Sequence, residues 1–197
     1  MARLSYIISA LLISLSLALS ACAPALVGVG TAAVAASSTE KGFSTSVADG
    51  VINTKLADKF LREDVDLVQG VSITVNEGAV LLTGIVPTQE QKITATRLAW
   101  EIKGVREVVN EVTISQETSI KNRAKDFAAA AQLRLKIIGD GAVSSLNYSI
   151  DVVDGVVYLS GVAETEEERA RVIALAQELP FAKKVIDYII LSSDRRD

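Results

Sequence analysis

The sequence predicts an α+β fold made of one small module used twice, each copy running helix, strand, strand, helix, strand. Three observations carry that expectation. The segment VSITVNEGAVLLTG at 71–84 and the segment YSIDVVDGVVYLSG at 148–161 match at a fixed offset of 77 residues. Extended without gaps over 71–114 and 148–191, the match holds 13 identities in 44 positions. In both copies the apolar spacing also changes, at corresponding points, between the helical period and strict alternation. A chain of 197 residues has room for two such domains. The repeat places them at 47–114 and 124–191, with a linker at 115–123 and a tail at 192–197.

Before the repeat, Met1, Ala2 and Arg3 lead into an apolar run from Leu4 to Ala21, interrupted by serines and Tyr6. A short positive region followed by a hydrophobic one is the pattern of a secretory signal, here residues 1–21. An apolar run of this length is also compatible with a retained membrane anchor. Leu19-Ser20-Ala21-Cys22 resembles the bacterial lipoprotein processing box, and Cys22 is the only cysteine in the chain. The resemblance implies cleavage before Cys22 and acylation of its thiol and new amino group. One acyl chain anchors weakly and two or three anchor firmly, at about 0.8 kcal/mol per buried methylene. Ala23 follows the cysteine where an aspartate would resemble an inner-membrane retention signal, so the outer membrane is expected. Residues 22–46, rich in Ala, Gly, Ser and Thr, read as a tether.

Within the modules, Ile52, Leu56 and Phe60 recur every four residues and mark the inner face of a first helix, with Asp49, Asn53, Asp58 and Arg62 on its other sides. Ala129, Leu133 and Ile137 repeat that face. Val71, Ile73 and Val75 alternate with polar residues, as a half-buried strand does. Glu77-Gly78 and Asp154-Gly155 suit two-residue hairpin turns. Val80–Leu82 and Val157–Leu159 form the return strands, which Gly84 and Gly161 are expected to end. Thr88 and Thr165 suit N-caps of second helices running to about Ile102 and Leu179. Ala95, Leu98, Ala99 and Ile102 face inward, as do Val172, Leu175, Ala176 and Leu179. Final strands follow at 107–114 and 184–191. Two helices then cover one face of a three-stranded mixed sheet.

The net charge is −4 and there is no histidine. A mildly acidic exported chain is poorly suited to nucleic acid. Without histidine, triads and most metal sites are out of reach. The fragment GVGTA lacks a phosphate-loop lysine. The acidic run Glu164, Glu166, Glu167 and Glu168 falls in a helix's first turns, where negative charge is favourable. No enzyme activity, cofactor, metal or small-molecule substrate is expected.

The Val/Ile alternation before Gly78, the Val80–Gly84 strand and the Gly104-Val105…Val108 segment resemble the BON domain of bacterial envelope proteins. Two such modules behind a lipoprotein signal resemble the dual-BON outer-membrane lipoproteins of proteobacteria, which are associated with division and outer-membrane stress. The resemblance implies a non-enzymatic protein on the periplasmic face of the outer membrane that binds anionic phospholipid and supports membrane integrity. It also implies lipid contact through the second module's first helix, residues 123–138 here. Two departures stand out. Phe181-Ala182 replaces Gly104-Val105 in the second copy, and the gapless register puts Ala128, rather than Phe127, where an aromatic is expected.

Two surfaces are candidates for contact. On 123–138 the inward stripe is Ala129, Ala130, Leu133 and Ile137. Phe127, Ala131 and Leu135 share an outer side, bordered by Arg123, Lys125, Arg134 and Lys136. An apolar stripe rimmed by cations suits an anionic membrane surface. The same stripe also suits packing against the other module. On the first module's second helix, Ile93, Arg97 and Trp100 share a side. Trp100 suits packing between modules, an envelope protein partner, contact with lipid, or partial burial in its own domain.

Overall fold

The computed structural model describes residues 43–116 and 120–195. The signal segment, Cys22 and most of the tether lie outside the described residues. Module 1 contains α1 (Phe43–Glu63), a short α2 (Val65–Gly70), β1 (Val71–Asn76), β2 (Ala79–Val86), α3 (Gln89–Trp100), β3 (Glu107–Asn110) and β4 (Thr113–Ile114). Module 2 contains α4 (Ile120–Gly139), β5 (Tyr148–Val153), β6 (Val156–Ala163), α5 (Glu166–Gln177) and β7 (Lys184–Leu191). Helix α1 thus begins within the stretch read as tether, and α4 begins within the stretch read as linker. In each module the first two strands are antiparallel and the third lies parallel to the second. These are two tandem α+β modules, each with a three-stranded mixed sheet flanked by helices.

The final strand of module 1 is not continuous. Its ladder to β2 pairs Leu82 with Asn110 and resumes at Ile85 with Thr113, in unchanged register. At the gap the Asn110 side chain takes the Val112 N–H, at 3.0 Å, and donates to the Lys92 carbonyl and the Thr96 hydroxyl on α3. Helices α3 and α5 end two residues before the predicted Ile102 and Leu179, which still lie buried in the loops that follow.

Gly84 and Gly161 do not end their strands, which continue to Val86 and Ala163. Their φ values of 120° and 145° fall in the region glycine adopts freely. A Cβ at Gly84 would lie 2.0 Å from the Gly70 carbonyl oxygen, and one at Gly161 would lie 2.1 Å from that of Asn147. The crowding therefore comes from the start of the neighbouring strand, not from the following helix. At the hairpin tips both turn residues have positive φ, 51° and 78° at Glu77-Gly78 and 48° and 79° at Asp154-Gly155, the type I′ geometry that matches strand twist.

Each tip is held by an aspartate from the module's first helix. The Asp49 carboxylate accepts from the N–H groups of Glu77 and Gly78 at 2.8 and 2.9 Å. Asp126 accepts from Asp154 and Gly155 at the same two distances. Asp49, read as a solvent-side residue, is buried because the turn's N–H groups need an acceptor there. Asn53, from the same set, donates to the Ile73 carbonyl at 2.9 Å. Thr88 and Thr165 cap α3 and α5, accepting from Gln91 and Glu168 N–H at 3.2 and 3.1 Å. Glu168 departs from a solvated helix start. It is buried and accepts from the N–H groups of Ser144 and Glu164.

The inward helix faces and strand faces form one core per module, centred on Leu56, Phe60, Leu82 and Leu98 in the first and on Leu133, Ile137, Leu159 and Val172 in the second. A second buried layer lies on the opposite sheet faces. Leu81 and Thr83 of β2, and Tyr158, Ser160 and Val162 of β6, point away from the helices yet are buried. Strand β2 lies against β5, and β1 against β6. Hydrogen bonds cross the joint from the Thr83 hydroxyl to Asp151 and from the Tyr188 hydroxyl to Glu111, the latter at 2.6 Å. Glu111 and Tyr188 are equivalent positions of the repeat, and the two strand contacts are reciprocal. The open sheet faces therefore pack about a pseudo-two-fold axis, as the subunits of an isologous dimer do. The Arg195 guanidinium adds a bridge from the tail to Glu77.

Burial and the hydrogen bond to Glu111 raise the Tyr188 phenol above its ordinary range, and burial, with Glu111 and Asp151 nearby, also raises Tyr158. A phenol whose folded pKa is raised stabilises the fold below its unfolded pKa and loses that contribution as pH rises toward the folded value. Stability by urea denaturation is expected to fall above about pH 10, where an unfolded tyrosine ionises. Tyr188→Phe should lower stability at neutral pH by about 1–3 kcal/mol and flatten that alkaline decline.

Candidate membrane-facing surface on the second module

Helix α4 is fixed in rotation by two constraints. Ala129, Leu133 and Ile137 are buried in the core, and Asp126 holds the β5–β6 turn. The residues on its far side are consequently outward. Phe127 is 78% exposed and Leu135 is 70% exposed, with Ala131 exposed between them. Ile138, 60% exposed, continues the stripe. Eleven residues beyond Phe127, it returns to within about 20° of the same direction and extends the stripe to about 16 Å. Sequence reading missed Ile138, although its spacing of seven from Ala131 was the available signal. The neighbouring turn at Ser145–Asn147 packs beside α4 and exposes Leu146.

The cations differ in their engagement. Helix α4 carries five Lys/Arg residues and a single acid, Asp126, whose carboxylate is already committed to the turn. Lys125 and Arg134 are exposed and hold no ion pair among the described residues. One Arg123 nitrogen donates to the Gln69 carbonyl of module 1 at 3.0 Å. Lys136, predicted as part of the rim, instead pairs with Glu178 on α5's C-cap at 2.7 Å. The reason is its position, one residue before the core residue Ile137, which turns it toward the adjacent helix. The rim is thus Arg123, Lys125 and Arg134.

Beside α4, Asp140 accepts from Arg171, which with the Ala142 N–H holds its carboxyl below the usual carboxylate range. That pair lies at the helix end and leaves the stripe clear.

The second candidate surface lies on α3. Ile93 and Trp100 are 58% and 53% exposed, and Arg97 between them pairs with Glu101 and Glu63 at 2.7 and 2.9 Å. Lys59 and Arg97 together lower the Glu101 pKa, Lys59 contributing first. The joint between modules uses the opposite face of the sheet, so the Ile93–Trp100 side faces outward. Module 2 has Ala170 and Gln177 at these places.

Among the described residues, no group of His, Cys, Asp and Glu is placed to hold a metal ion, and no helix is long and apolar enough to cross a membrane. The BON domain model matches residues 48–116 and 125–192, most of the chain. The chain belongs to the BON family. It is 29% identical over 178 residues to the outer membrane lipoprotein DolP of Haemophilus influenzae, covering 90% of this chain and 92% of that one. It is 27% identical over 139 residues to the osmotically-inducible protein Y of Escherichia coli, covering 70% and 69%. An uncharacterised protein of Anaplasma centrale is 37% identical over 126 residues, covering 64% of this chain and 83% of its own. A solved structure of CdsD, a structural protein of the type III secretion system of Chlamydia trachomatis, matches with a TM-score of 0.28 and 18% identity, over 73% of this chain and 63%, less than two thirds, of that one.

If the stripe is surface and not core, its truncation costs little. Phe127→Ala and Leu135→Ala should each leave thermal and urea stability within about 0.5 kcal/mol of the parent. Leu133→Ala, on the buried side of the same helix, should cost about 2–5 kcal/mol.

Proposed function

We propose that the protein is an envelope lipoprotein, acylated at Cys22 and held at the periplasmic face of the outer membrane, whose α4 helix rests reversibly on anionic phospholipid and so supports membrane integrity. The observation that carries this reading is the outward stripe Phe127–Ala131–Leu135–Ile138 with Arg123, Lys125 and Arg134 along its sides. Such a helix lies in the plane of the interface, apolar face down and cations toward the headgroups. Fully burying a leucine or phenylalanine contributes about 1.5–3 kcal/mol. Each cation near an anionic surface adds about 1 kcal/mol. These are modest sums that suit a contact made and broken while an acyl anchor keeps the protein in place. Kinship with the outer membrane lipoprotein DolP supports the location, and the processing box at Leu19–Cys22 supports the anchor.

A second reading makes the protein a scaffold for an envelope or division complex, with a partner protein on Ile93, Arg97 and Trp100. The exposed indole favours it, since tryptophan and arginine are enriched where interfaces concentrate their energy.

The chain from residue 22 onward, with Cys22→Ser, should bind phosphatidylglycerol-containing vesicles in sedimentation and lose that binding as salt rises. Leu135→Glu should weaken it about ten-fold or more, and Arg134→Gln should reduce its salt dependence. Vesicle binding indifferent to both changes would take the contact away from α4. Intact mass of the cellular protein should show acyl groups on Cys22; a free thiol there would remove the anchor. Trp100→Ala should leave vesicle binding unchanged and, on the scaffold reading, abolish recovery of a cross-linked partner.

A further inference from the structure

Exposed aliphatic side chains gather at the C-terminal end of α4, and they come from two elements. Leu135 and Ile138 close the outward stripe, and the Ser145–Asn147 turn, which packs against α4, adds Leu146, 64% exposed. A single exposed leucine is ordinary on a protein surface, whereas a cluster of large apolar side chains marks a contact. Phe127 lines a groove beside β5, and Ile138 points within about 20° of Phe127, so Ile138 leans toward β5. The turn leads directly into β5 at Tyr148. Ile138 and Leu146 therefore lie on one side of the helix.

The loop that presents Leu146 is held from within. Asp140 accepts from the Arg171 guanidinium at 2.6 Å and from the Ala142 N–H at 3.0 Å. Buried Glu168 accepts from the Ser144 N–H at 2.8 Å, and the Asn147 N–H closes the turn on the Ser144 carbonyl at 2.9 Å. Asn147 and Tyr148 are buried, and Val143 packs against the core of module 2. A backbone already fixed on both sides of an exposed leucine loses little further freedom when that leucine is covered. Charge is divided unevenly along the same helix. Its first turns carry Lys121, Arg123 and Lys125 against Asp126 alone. Around the other end, Arg134, Lys136 and Arg171 are matched in number by Asp140, Glu168 and Glu178.

We propose that the bilayer contact is a wedge of two elements: Leu135, Ile138 and Leu146 enter the acyl region, while Lys121, Arg123 and Lys125 stay among the anionic headgroups. This rests on the membrane reading above and adds to it the turn before β5 and a tilt of α4. The C-terminal end lies deeper because its tip is aliphatic. Arg134, which holds no ion pair among the described residues, has a stem long enough to carry its charge back to the headgroups. The cations of the first turns hold the N-terminal end in the polar layer. Lipid is the occupant because the tip continues the cation-rimmed stripe, and because leucine is under-represented among residues that carry protein–protein binding energy.

Cys22→Ser removes the only cysteine, so single nitroxide labels can be placed through Leu146→Cys, Ile138→Cys or Lys125→Cys in the chain from residue 22 onward. The probe is vesicles of phosphatidylglycerol and phosphatidylethanolamine. Oxygen and nickel-chelate accessibility should place the labels at positions 146 and 138 below the phosphates and the label at position 125 above them. Leu146→Gln should weaken vesicle binding about ten-fold and leave its salt dependence unchanged. The urea midpoint of that variant should stay where it is, since the side chain is outside the core. A label at position 146 that remains in water, while Leu135→Glu still weakens binding, would overturn the wedge and leave the α4 contact standing. Vesicle binding indifferent to Leu135→Glu would remove both. Dipolar broadening between labels at position 146 without vesicles would put a second copy on this face and overturn the proposal as well.

Discussion

The orientation of the second module's first helix depends on one carboxylate. Asp126 accepts two N–H groups from the tip of the β5–β6 hairpin, and those groups have no other acceptor within a turn that is closed by positive φ at both central residues. Because charged acceptors form stronger hydrogen bonds than neutral ones, the helix is tied to the hairpin at its N-terminal half, while Leu133 and Ile137 tie it to the sheet further along. With both ends fixed, the helix has one rotational setting. The stripe from Phe127 to Ile138 faces outward because of that setting, and Arg123 reaches module 1 for the same reason. Asp49 performs the same task in module 1, where the outward side carries Val47, Val51 and polar residues and no comparable cationic rim.

The second constraint is the use of both sheet faces. A three-stranded sheet covered by helices on one side leaves the other side to be filled. Here each module fills the other's open side, placing Leu81 of β2 and Tyr158 and Val162 of β6 in a shared interior. The hydroxyl of Tyr188 and the carboxylate of Glu111 meet half-buried at its margin, where the hydrogen bond offsets the partial desolvation of the carboxylate. The helix layers are left on the outside. The surfaces on α3 and α4 are therefore both available, on different modules, with the sheets between them.

Much of this was legible in the residues. The offset of 77 located both modules, and the four-residue spacing of Ile52, Leu56 and Phe60 located the inward face. The angle between Leu133 and Leu135 separated core from surface on α4. Other features were hidden for identifiable reasons. Asp49 and Asp126 were visible as a repeated pair, but a long-range bond from a carboxylate to backbone N–H groups has no local signature. The joint between modules had a signal in the composition of its strands: Val157-Tyr158-Leu159 is apolar on both faces, as fully buried strands are, and not alternating as a half-solvated strand would be. The pairing of Lys136 with Glu178 could not be read from spacing, because its partner arrives from another helix. The break between β3 and β4 depends on what the Asn110 side chain does with its neighbours, which hydrophobic pattern does not encode.

The divergence of the two copies at the pseudo-axis has a consequence for self-association. Were the modules identical there, each could pair as well with its counterpart in another molecule, and chains would link into strings or exchange halves. Because one copy presents Glu111 and the other Tyr188, a like-with-like encounter sets carboxylate against carboxylate, or pairs two hydroxyls that lose the charged acceptor. Only the unlike pairing gives the hydroxyl a charged acceptor, and the short connection within one chain supplies it first. At this one position the divergence of the repeat favours the two modules of a single chain as each other's partners.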